Sequence, residues 1–110
     1  MLTRKDIIGI NQQFGNGKLH NSSSLDFVLS QTKRSPHWFR SMCLLTRALL
    51  IDHIFEDGNK RTAVAVIMMY LDMNNYDYNA DTIAKIVLRL AKSNIKDVNT
   101  IGRLLNHAIE

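Results

Sequence analysis

His53, Glu56, Asp57, Asn59, Lys60 and Arg61 crowd into nine consecutive positions around Phe55 and Gly58. A turn between two helices needs only a glycine and a few polar residues. This one also carries an imidazole, two carboxylates, an amide and two cations, and most of these have a use in phosphoryl transfer. His53 can take a proton from an attacking hydroxyl near neutral pH. Asp57 offers a hard carboxylate oxygen, which suits Mg²⁺, an ion that prefers one or two carboxylates plus phosphate oxygens. Gly58, Asn59 and Lys60 fall where a helix should begin, and the first N–H groups of a helix lack partners and favour an anion. Gly58 has no Cβ to keep a phosphate oxygen from the backbone. Arg61, in the first turn, adds a planar fork of donors that matches phosphate oxygens. Phe55 is expected to pin the loop to the core. A base, a metal ligand and a phosphate clamp are the parts that phosphoryl transfer needs.

These groups must be carried by the elements on either side. Trp38, Met42, Leu45 and Leu49 mark one apolar stripe, widened by Leu44, Ala48 and Ile51, and predict a central helix to about Asp52 or His53. Ser35-Pro36 should start it, since serine caps and proline tolerates the first helical position. Asn59 should open a second apolar helix through Ala63, Val66, Ile67, Tyr70 and Leu71, closed by Asn74-Asn75. The motif then sits at the tip of a helical hairpin, where His53 and Arg61 can approach one another.

The rest of the chain reads the same way. Thr3 should cap a helix with Ile7, Ile8, Ile10 and Phe14 inward, ended by Gly15-Asn16-Gly17. Residues 18–23 are a loop or a small hairpin. Ser24 should cap a short helix carrying Leu25, Val28 and Leu29. Two more helices follow, from about Asp81 to Lys92 (Ile83, Ile86, Val87 and Leu90 inward) and from about Asp97 to Ala108 (Val98, Ile101, Leu104 and Leu105 inward). No repeat, linker or low-complexity stretch interrupts residues 1–110. The expectation is one all-α domain, a compact helical bundle with a short flap hairpin or loop.

Composition agrees with that class. Among 110 residues, 45% are hydrophobic and 22% charged, with a single proline. The longest apolar run, Ala63 to Leu71, falls well short of the roughly 20 residues that span a bilayer, so no membrane is expected. The first residues lack the apolar stretch of a signal peptide. A lone cysteine, Cys43, has no internal disulfide partner. The expected location is the cytoplasm. The net charge of +4 and pI of about 9.5 fit an anionic partner but are too diffuse to name one. Lys85, Arg89, Lys92 and Lys96 recur at helical spacing and read as a solvated face, so nucleic acid is not an expected partner.

The segment resembles the signature of the Fic/Doc family, His-x-Phe-x-(Asp/Glu)-Gly-Asn-x-Arg at a helix-loop-helix, and all six specified positions are present: His53, Phe55, Asp57, Gly58, Asn59 and Arg61. The small helical layout is similar to that of the death-on-curing (Doc) branch across nearly the whole chain. The resemblance implies His53 as general base, Asp57 as the Mg²⁺ ligand, Gly58, Asn59 and Lys60 as the anion-binding loop, and Arg61 as a phosphate ligand. It makes residues 15–25 a flap that aligns a target peptide by backbone pairing, with Lys18, Leu19 and His20 at its centre. The cofactors implied are ATP and Mg²⁺, and the substrate is a protein.

Two positions separate the branches of that family. AMP-transferring members carry a second glycine where this chain has Lys60, and a further arginine where it has Val64. The Doc branch carries lysine and an apolar residue there, as here, which implies transfer of the γ-phosphate to a Ser or Thr hydroxyl. By family analogy the target is a translation elongation factor and the chain the toxin of a toxin–antitoxin pair. Gly58 leans the other way, being alanine in the best-known Doc toxin, and keeps AMP transfer as the alternative. A catalytically silent binding module is the third reading, opposed by the intact His53 and Asp57. Many family members block their own site with a (Ser/Thr)-x-x-x-Glu helix. The only glutamates are Glu56 and Glu110, and Asp52 and Asn106 stand four residues before them. Restraint would therefore come in trans, from an antitoxin protein.

Overall fold

Each apolar run at helical spacing is a helix in the computed structural model, which describes residues 2–34 and 37–110. Among the described residues there are six: α1 (Arg4–Asn11), α2 (Ser22–Arg34), α3 (Trp38–Ile51), α4 (Asn59–Met73), α5 (Ala80–Lys92) and α6 (Val98–Asn106). The fold is all-α. Only two isolated β-bridges occur among these residues, Leu19 with Phe55 and Tyr78 with Ile109. None of the helices is long and apolar enough to cross a membrane.

The caps explain most of the boundaries. Thr3 caps α1 as expected, in a reciprocal box: its side chain accepts the Asp6 N–H, and the Asp6 carboxylate accepts the Thr3 N–H at 2.9 Å. That backbone bond holds the Asp6 carboxyl below its ordinary range, so the box is complete at neutral pH and is lost only as pH falls through the lowered value. Asn79 and Asp97 cap α5 and α6 by accepting the N–H three residues on. The expected cap of α2 is corrected. The helix starts at Ser22, not after Ser24, and Asn21 Oδ1 accepts the Ser24 N–H at 3.2 Å. In the run Asn21-Ser22-Ser23-Ser24 every residue is a good cap by type, so local preference does not choose among them. The expected start of α3 at Ser35-Pro36 lies outside the described residues.

The central helix is α3, which packs on α2, α4, α5 and α6, most extensively on α4. Met42, Leu45 and Leu49 of α3 and Ala63, Val66, Ile67 and Leu71 of α4 are buried together with Ile83 and Leu90 of α5 and Ile101 and Leu105 of α6. Each large side chain among these stabilises the fold by about 1.5–3 kcal/mol relative to exposure. α1 and α5 pack on α4. Trp38, expected within the buried stripe, is only half-buried; it lies at the start of α3, edge-on to Phe39 and 5.4 Å from the Tyr76 ring. Met69 and Met73 are exposed, because they stand one turn apart on the face of α4 turned away from the core.

The hairpin of α3 and α4 is therefore held from several sides, and the short segment between them is fixed at both ends. Cys43 lies within this frame, 1% exposed, and burial pushes its thiol up to about 12. The native protein is expected to resist alkylation by iodoacetamide at mildly alkaline pH while the urea-unfolded chain reacts fully; intact mass spectrometry of both states measures it.

Candidate active site

α3 stops at Asp52, whose N–H still reaches the Ala48 carbonyl. Its side chain ties the stop to α2, accepting the Ser24 hydroxyl at 2.6 Å, and its carbonyl accepts from the Asn21 amide. His53 then turns the chain with φ +51°, a left-handed conformation that side chains seldom adopt, though histidine is among the residues that tolerate it best. Ile54 and Phe55 plunge into the core, 0% and 1% exposed, while His53, Glu56 and Asp57 on either side are exposed. Phe55 is thus the anchor its type suggested.

Polar contacts lock this loop. The Asn59 side chain accepts the Phe55 N–H at 3.0 Å and donates to the Phe55 carbonyl at 2.9 Å, so its amide serves loop geometry and only its backbone N–H remains for an anion. Gly58 sits at φ +74° as the cap residue of α4, and a Cβ there would lie 3.1 Å from Asn11 Nδ2. The buried Asn11 donates to the Asp57 carbonyl at 2.9 Å and to Thr62 Oγ1 at 3.0 Å, and accepts the Gly17 N–H at 2.9 Å. One amide thereby joins α1, the turn after it, the motif loop and α4.

The segment before α2 also belongs to the site. Lys18 accepts the Glu56 N–H, and the His20 and Asn21 N–H groups both donate to the Ile54 carbonyl. The expected flap is thus a single extended stretch bridged to the motif loop, and it is shorter than residues 15–25 because Ser22 to Leu25 are already helical. Gly15 makes the close approach possible: a Cβ there would fall on the Asp57 carboxylate, which faces the Asn16 N–H at 3.4 Å.

His53, Asp57, Gly58, Asn59, Lys60 and Arg61 all line one open cleft of about 1180 Å³. Lys18, Leu19 and His20 border the loop but do not line the cleft. The N–H groups of Asn59, Lys60 and Arg61 carry no hydrogen bond among the described residues; the first α4 bond is Thr62 N–H to the Gly58 carbonyl. Asp57 stands alone as a carboxylate, with no group of three metal-ligating side chains among the described residues. That set fits Mg²⁺ delivered with phosphate oxygens and water, not a protein cage.

Two features escaped the sequence reading. Asn11 is a polar residue on the inward face shared with Ile7 and Ile10, and that mismatch was its available signal. The far wall of the cleft comes from the last turn of α5, including Arg89 and Lys92. Neither a protein-family model nor a curated protein sequence matches the chain.

Removing the Asn11 side chain strands the Gly17 N–H, the Asp57 carbonyl and the Thr62 hydroxyl. Asn11→Ala is expected to destabilise the fold by about 2–4 kcal/mol, with Thr62→Val costing less because Asn11 keeps its other partners. Urea unfolding of the three proteins measures the difference.

Proposed function

We propose that the chain is a Doc-like protein kinase of the Fic/Doc type, which transfers the γ-phosphate of ATP to a Ser or Thr hydroxyl of a target protein. The observation that carries the reading is the convergence of an imidazole, a single carboxylate and the open N-terminus of α4 on one cleft. His53 takes the proton of the target hydroxyl, whose oxygen forms the new bond to the γ-phosphorus as ADP leaves. The free N–H groups of Asn59, Lys60 and Arg61, with the Arg61 guanidinium, hold phosphate oxygens and stabilise charge as it shifts to the leaving group. Asp57 would hold Mg²⁺, which neutralises phosphate charge when bound. Leu19 faces Phe55 as a non-hydrogen-bonded pair, so its own N–H and C=O point away from the motif loop. That free edge suits backbone pairing with an extended target segment.

Transfer of AMP is the second reading, and Gly58 was its main support. The positive φ and the crowding by Asn11 account for a glycine at that position without reference to the nucleotide. Lys60 and Val64 then favour the kinase. By family analogy the target is a translation elongation factor, the setting is a cytoplasmic toxin–antitoxin pair, and an antitoxin protein supplies inhibition in trans.

Incubation with cell lysate and ATP labelled at the α or the γ phosphate separates these readings. Protein-bound label from γ alone is expected, and label from α would replace the kinase with AMP transfer. No label from either, with the protein folded, would leave a binding module. His53→Ala is expected to lower transfer by about 10²–10⁴-fold; unchanged transfer would remove His53 as the base.

A further inference from the structure

Lys85, Arg89 and Lys92 share one exposed face of α5, with Lys96 just past its end, but they do not share one setting. Arg89 and Lys92, in its last turn, line the same cleft as Lys60 and Arg61, whereas Lys85 and Lys96 lie outside it. Among the lining residues Asp57 is the one carboxylate, so four cations share a concave surface with a single anion. None of the four forms an ion pair among the described residues, where the salt bridge present is Arg4 with Asp26 on the far elements α1 and α2. Like charges lining one cleft reinforce one another's field and draw in an anion. One phosphate at the α4 N-terminus would leave the α5 cations unmatched. Leu88, 57% exposed and next to Arg89 in the chain, presents an apolar surface to the same cleft. Cations with an adjoining apolar face are the chemistry of a polyphosphate joined to an organic group.

We infer that Arg89 and Lys92 are a second phosphate clamp, and that the polyphosphate of a nucleoside triphosphate bridges the cleft from the first turn of α4 to the last turn of α5. The inference rests on the proposed nucleotide chemistry for the identity of the organic group, but not for the polyphosphate. Cations at a helix C-terminus also complement its dipole. That role alone would change the stability of α5 without changing ligand affinity.

Isothermal titration calorimetry with ATP, adenosine and inorganic tripolyphosphate tests it on three folded proteins: the parent, Arg89→Gln/Lys92→Gln, and Lys85→Gln/Lys96→Gln as a control of equal charge outside the cleft. Weakening of both polyphosphate ligands by at least about tenfold in the first variant only, with adenosine unaffected, is the expected result. Equal binding by all three proteins, or equal loss in both variants, overturns the clamp while leaving the kinase reading intact. Binding of tripolyphosphate but not of ATP, still dependent on Arg89 and Lys92, upholds the clamp and overturns the nucleotide reading. No binding of either ligand by the parent overturns both.

Discussion

The amide of Asn11 is buried where four segments meet, and each of its bonds goes to a different one: the Asp57 carbonyl, the Thr62 hydroxyl and the Gly17 N–H. Buried polar groups cannot fall back on water, so each of these partners is committed to this arrangement. Gly58 must then turn left-handed beneath the amide, and α4 must begin at Asn59 with its first N–H groups facing out. The outward set of these N–H groups, on which the proposed anion site rests, thus follows from a polar contact made by a residue outside the cleft.

The same division of labour runs along the loop. Ile54 and Phe55 contribute burial, and the backbone around them is satisfied by Asn59 and by the segment 18–21. The residues able to do chemistry, His53 and Asp57, stand just outside these anchors and are exposed. Among the described residues, the one hydrogen bond on these two side chains is the long one from the Asn16 N–H to the Asp57 carboxylate. The strained φ of His53 persists because Asp52 before it and Ile54 after it are both held by neighbouring elements.

Much of the fold was legible from periodicity. The apolar stripes of α3, α4, α5 and α6 are long and regular, and Asn74 at the end of α4, Asp97 at the start of α6 and Thr3 at the start of α1 mark helix boundaries through local hydrogen bonds. Where several neighbouring residues could do the same job, as at Asn21 to Ser24, the local rule could not choose. The choice was made by Ile54, whose carbonyl captures the Asn21 N–H from more than thirty residues away. Asn59 shows the complementary limit. Its place at the start of a helix beside a glycine suggested an anion ligand, yet its side chain is spent on Phe55.

The nine residues from His53 to Arg61 could be singled out by type and spacing alone, and the helix start at Asn59 follows from local pattern. What faces them could not. That α5 brings Arg89 and Lys92 to the cleft and leaves Lys85 outside depends on how α5 lies across α4, and Lys96 falls beyond the end of that helix. All four follow one helical spacing and look alike in sequence. Packing of Ile83, Ile86, Val87 and Leu90 into the core turns the stripe of Lys85, Arg89 and Lys92 outward, and position along the helix then decides which of them meet the cleft, since only its last turn reaches that far.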